Sequence, residues 1–128
     1  MHSRILVIVK DRDFSRVLDP LLDLNDMVAV RAEGFCEAQA ATVGAPIDAV
    51  ILQTAAWDTI PAAHFFNWVR SLTAHQYTPL VLLTGESGLD EDEAIGAIAC
   101  GARIFRCPRE LSSLVRHLED ATAHRRAA

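Results

Sequence analysis

The chain has 128 residues, about half of them hydrophobic, and a formal net charge of -5. That length suits one domain with a substantial buried core. The acidic balance leaves no overall basic field for nucleic acid, and the longest apolar runs are strand-sized, too short for a membrane span or a secretory leader. Three cysteines, Cys36, Cys100 and Cys107, form no C-x-x-C pair and read as reduced core or near-core thiols, against a disulfide framework or a zinc site. A cytoplasmic protein follows from these readings.

In chain order, Ile5 to Val9 is a buried first strand closed by the polar turn Lys10-Asp11-Arg12-Asp13. A helix follows from about Asp13 to Leu24, with Phe14, Val17, Leu18, Leu21 and Leu22 on one face and Pro20 expected to kink or shorten it. Asn25-Asp26 is the left-handed stop. Met27 to Ala32 reads as a short edge strand, and Phe35 to Val43 as a small helix closed by Gly44 and Pro46.

Ile47 to Thr54 is the most informative stretch. Its unbroken Ala-Val-Ile-Leu core is the pattern of a strand covered by helices on both faces. Past a loop carrying Trp57, a helix is predicted to open at Asp58 or Thr59 with Pro61 in its first turn, burying Phe65, Val69 and Leu72 beside Phe66 and Trp68. Leu80 to Leu83 is the fourth strand and Leu89 to Cys100 the fourth helix, its first turn carrying Asp90, Glu91, Asp92 and Glu93. Gly101 stops it, Arg103 to Arg106 is a fifth strand, and a last helix begins at Pro108 with Leu111, Leu114, Val115 and Leu118 inward. One domain over 1–128 is expected, with an ordered core of about 4–122 and a frayed polar tail, 123–128. Five strand-helix units with no hairpin signal argue for an α/β protein with a doubly wound parallel sheet. Function in such sheets gathers at the carboxyl edge of the strands.

The whole chain resembles a receiver domain of bacterial two-component response regulators. ILVIVKDRDF matches the first strand and acidic turn, IDAVILQ the strand that presents the phospho-acceptor aspartate, PLVLLTG the strand ending in the switch hydroxyl, and GARIFRCP the fifth strand with its Lys-Pro close. The resemblance implies a flavodoxin-like (βα)5 fold with strand order 2-1-3-4-5. It also implies a pocket in which an aspartate takes the phosphoryl group, two acids hold Mg²⁺ and a lysine pairs with the phosphoryl oxygens.

This sequence departs from that pattern at the residues that matter. The acceptor position falls on Gln53, the metal-holding positions on Val9 and Lys10, and the lysine position on Cys107. A register slip would bring Asp11 or Asp13 toward the metal position without supplying an acceptor. Thr84 stands at the switch hydroxyl and Phe105 at the switch aromatic. The expectation is therefore a degenerate, or pseudo-, receiver: no enzyme, no metal, no cofactor, acting through a protein partner or as a homodimer.

Each departure also has a plain structural reading. Gln53 is a mimic that locks one switch state or a satisfied polar strand end, Lys10 a cation in place of the metal or a solvated turn residue, and Cys107 a redox thiol or an inert one. Arg103, Arg106, Arg109 and Arg116, with Arg125 and Arg126, are the candidate interaction face or a solvated cationic surface. The histidines, lacking ligand spacing, read as surface residues. The rival functions are a receiver-like domain that binds a cyclic dinucleotide or other anion, and a receiver phosphorylated at a non-standard residue. An enzyme at the carboxyl edge has least support, since no nucleophile-base pair or phosphate-binding glycine loop is present.

Overall fold

A computed structural model describes the backbone of residues 3–9, 12–44, 46–53, 61–85, 90–107 and 109–127, and the side chains of these except 12–14 and 124–127. The elements are β1 (Ser3–Ile8), α1 (Arg12–Leu24), β2 (Met27–Arg31), α2 (Phe35–Gly44), β3 (Ala49–Gln53), α3 (Ala62–Ser71), β4 (Leu80–Thr84), α4 (Glu91–Ala99), β5 (Arg103–Arg106) and α5 (Leu111–Ala127), with one 3-10 turn at Thr73–His75. The strands form one parallel sheet in the order β2-β1-β3-β4-β5, so the flavodoxin-like topology expected from the sequence is the one present.

The apolar runs of β1, β3 and β4 work by alternation between two faces. Leu6, Ile8, Val50, Leu52, Leu80 and Leu82 meet Ala38 of α2, Phe65, Phe66 and Val69 of α3, and Ala97 of α4 on one side. Ile5, Val7, Ala49, Ile51, Val81 and Leu83 meet Leu18 and Leu22 of α1 and Leu114, Val115 and Leu118 of α5 on the other. Both layers exclude water, and truncating any of these leucines or phenylalanines to alanine costs about 2–5 kcal/mol.

Several boundaries depart from expectation. Helix α1 runs through Pro20 to Leu24 without being shortened, because Pro20 lies on the exposed side and the buried Leu18 and Leu22 hold the inner stripe. Val17 is half exposed and does not belong to that stripe. Asp26, at φ 58, makes the left-handed stop before β2, and Gly101, at φ 86, does the same after α4. Helix α3 starts after Pro61, which serves as the extended N-cap residue instead of sitting in the first turn. Leu72 falls beyond the helix end and is only partly buried. Helix α5 starts at Leu111, after a turn in which the Arg106 amide donates to Glu110 Oε1 and the Glu110 amide donates to the Arg106 carbonyl. It continues to Ala127, so the segment expected to fray is helical up to that residue. Trp57, Asp58, Thr59, Leu89 and Pro108, and the side chains of Phe14, Arg125 and Arg126, lie outside the described residues. No helix among the described residues is long and apolar enough to cross a membrane.

Candidate functional site: the carboxyl edge of the sheet

Parallel register brings the predicted positions to one edge. Ile8 is level with Leu52, Gln53 with Leu83 and Thr84 with Arg106, so Val9, Gln53, Thr84 and Cys107 all leave the sheet at the same end. The Cys107 amide donates to the Thr84 carbonyl at 3.0 Å, extending the β4-β5 ladder one residue past the strand. Lys10 and Asp11 lie outside the described residues.

The chemistry of these positions is mostly apolar. Val9 and Cys107, at the metal and lysine positions of the receiver pattern, both pack against the hydrophobic cluster shared by β1, β3, β4, α1 and α5. Gln53 is partly buried and has a partner of its own. Thr84 is 3% exposed, and its Oγ1 is enclosed with no hydrogen-bond partner among the described residues. An orphaned buried hydroxyl costs roughly 1–3 kcal/mol and marks this edge as strained in its polar bookkeeping. Among the described residues no three His, Cys, Asp or Glu side chains gather to hold a metal ion. Asp48, the acid five residues before the acceptor position, sits at the opposite edge, where its Oδ2 accepts from the Arg4 amide at 2.8 Å and its own amide donates to the Arg4 carbonyl.

Phe105 is 5% exposed and turned into the core. The His117 ring lies on it with centroids 5.6 Å apart, and the Arg103 guanidinium carbon stands 6.0 Å from the Phe105 ring centre. Arg103, Arg106, Arg109 and Arg116 are all exposed, and Arg109 has a partner of its own. On α4, Ile95 is 59% and Ile98 60% exposed, two apolar side chains at the surface where an isoleucine on a helix reads from sequence as core.

The thiols and histidines divide differently from expectation. Cys36 is exposed, so the core reading fails for it, because it falls on the outer side of α2. Cys100 is buried, donates to Asn67 Oδ1 at 3.1 Å, and burial pushes its thiol up against the opposing pull of Arg70. His75 is buried, correcting the surface reading: its Nδ1 pairs with Thr78 Oγ1 at 2.8 Å and its Nε2 with the Thr42 carbonyl at 3.2 Å. A cavity of about 660 Å³ lies there, lined by Val43, Ile47, Asp48, Leu72 and His75 among others. It is at the amino edge, and among the described residues its wall holds no arginine or lysine.

No protein-family model and no curated protein sequence matches the chain. Solved structures do. A Chloroflexus aurantiacus J-10-fl protein described as a response regulator superposes with a TM-score of 0.82 at 21% identity, over 96% of this chain and 99% of that one. A response regulator receiver domain protein from Clostridium thermocellum gives 0.78 at 21% identity, over 98% of both chains. A chain of an adenylate cyclase from Rhodopirellula baltica gives 0.74 at 16% identity, over 99% of this chain and 94% of that one. At these identities what is shared is the fold, and this chain has the flavodoxin-like fold of receiver domains from end to end.

Proposed function

We propose that this chain is a receiver-type signalling module that acts by binding another protein and passes no phosphoryl group. The observation that carries the proposal is the chemistry of the described carboxyl-edge positions: Val9 and Cys107 take the metal and lysine positions and pack, partly buried, against the hydrophobic cluster, and Gln53 takes the acceptor position. An amide is a poor nucleophile toward phosphorus, and Val9 and Cys107 supply neither a carboxylate for a metal nor an ammonium to offset the charge of the transferring group. The frame around it is kept in full, which is what a module read by shape requires. The contact surface assigned to it is α4, β5 and α5, where Ile95 and Ile98 of α4 are exposed and so are Arg103, Arg106, Arg109 and Arg116. Exposed apolar and arginine side chains are the types enriched in protein contacts. The cavity of about 660 Å³ at the amino edge does not itself suit an anion, since its described lining offers the Asp48 carboxylate and no cation.

The test is incubation with acetyl phosphate and Mg²⁺ followed by intact-mass measurement. No mass gain is expected, for the natural chain or for Gln53→Asp, since the variant restores the nucleophile alone. A base-labile gain of one phosphoryl in the natural chain overturns the proposal, and proteolytic mapping then names the non-standard acceptor.

A further inference from the structure

We infer that the His117–Phe105 contact is a pH-sensitive clamp between α5 and β5, closed while the imidazole is neutral and loosened when it takes a proton. The contact is central to that side of the molecule: Phe105 is 5% exposed, and His117 covers its ring at 5.6 Å. His117 Nε2 is enclosed, with no hydrogen-bond partner among the described residues. In the neutral ring one nitrogen is free of a proton, but in the imidazolium both are donors, so protonation obliges Nε2 to carry an N–H that meets no acceptor.

The surrounding charges act in the same sense on balance. From β5, Arg103 approaches the same Phe105 ring at 6.0 Å, so an imidazolium would set a second cation against that ring. From α5, Asp120 opposes this, one turn along the helix. Burial first and Arg103 second hold His117 below its ordinary value, and Asp120 only partly restores it. With a folded-state value below the unfolded one, the stabilisation is complete above about pH 6.5, begins to fall below it and is lost as pH falls through the lower folded-state value, because over that range the unfolded chain binds a proton the folded chain resists. Acid therefore favours arrangements in which His117 leaves Phe105. The exposed Arg103 and Arg106 of β5 and Arg116 of α5 sit on the two elements this contact joins, so the looseness of that pair becomes a function of pH.

Two measurements test the clamp. Following the ring resonances of His117 and Phe105 by NMR across about pH 7.5 to 5 should show His117 titrating below its ordinary value and Phe105 shifting with the same midpoint. Denaturant unfolding of the natural chain and His117→Gln over the same range should show the natural chain losing more midpoint than the variant as pH falls. A His117 that titrates at or above its ordinary value, or a Phe105 whose resonances ignore that titration, overturns the inference. The NMR experiment uses the natural chain alone, so it decides even if the variant folds poorly.

Discussion

The two edges of the sheet treat polar groups in opposite ways. At the amino edge His75 is fixed between Thr78 and the Thr42 carbonyl, Asp48 and Arg4 exchange hydrogen bonds, and Arg70 donates to the carbonyls of Cys100, His75 and Thr78 at 2.9, 3.0 and 2.7 Å. At the carboxyl edge the hydroxyl of Thr84 is buried without a partner among the described residues, and the neighbouring positions are taken by Val9 and Cys107. Ser3 Oγ, likewise unpartnered, is the exception on the amino side. The difference separates two states of buried polarity: a satisfied network fixes a structure, and an orphaned group costs stability.

The largest effect expected from this contrast is at Arg70. Its guanidinium ties the end of α3, the 3-10 turn and the end of α4 together, so Arg70→Met should leave three carbonyls without their charged donor and cost about 2–4 kcal/mol in denaturant unfolding. A loss under about 1 kcal/mol would mean water replaces the guanidinium and the amino edge is not a lock.

A matched pair of threonine substitutions sharpens the comparison. Thr78→Val removes the partner of His75 Nδ1 and should cost about 1–3 kcal/mol. Thr84→Val removes a hydroxyl that has no partner among the described residues and should be neutral or stabilising by up to about 1 kcal/mol. Equal costs at the two sites would erase the distinction between the edges.

The amino edge was also the less legible of the two from sequence. Apolar runs such as AVILQ and LVLLT announce buried parallel strands directly, since no alternation is needed when both faces are covered. Register then follows from all strands ending together, which is why Gln53, Thr84 and Cys107 could be assigned to one edge before any coordinates. His75 and Arg70 carried no such signal. Their partners are backbone carbonyls and a threonine on other elements, and a hydrogen bond to a carbonyl leaves no residue type to recognise. Ile95 and Ile98 were hidden for the opposite reason: an isoleucine on a helix reads as core, and only the packing of α4, which buries Ala97 instead, turns them outward. Pro61 shows the limit on boundaries, since a proline is equally at home at the cap and in the first turn.

The helices that join the two edges supply the smallest and most local test. Helices α3 and α4 lie side by side, with Asn67 bonded to Cys100 and Arg70 to the Cys100 carbonyl near their ends. Farther toward the carboxyl edge a Cβ placed on Gly96 would stand 2.9 Å from Ala63 Cβ, nearer than two side chains tolerate. Gly96→Ala gains about 1 kcal/mol of helix propensity and incurs about 1–3 kcal/mol of overpacking, so a net loss of roughly 1 kcal/mol is expected. Since Ala63 is the atom in the way, Ala63→Gly combined with Gly96→Ala should move the glycine across the contact and recover the overpacking, less the propensity lost at 63. Recovery in the double variant would show that α3 and α4 are held at a fixed separation all the way from the Arg70 lock to the carboxyl edge. Two losses that simply add would mean that the helices already part above Asn67, and that the order of the amino edge does not reach the pocket.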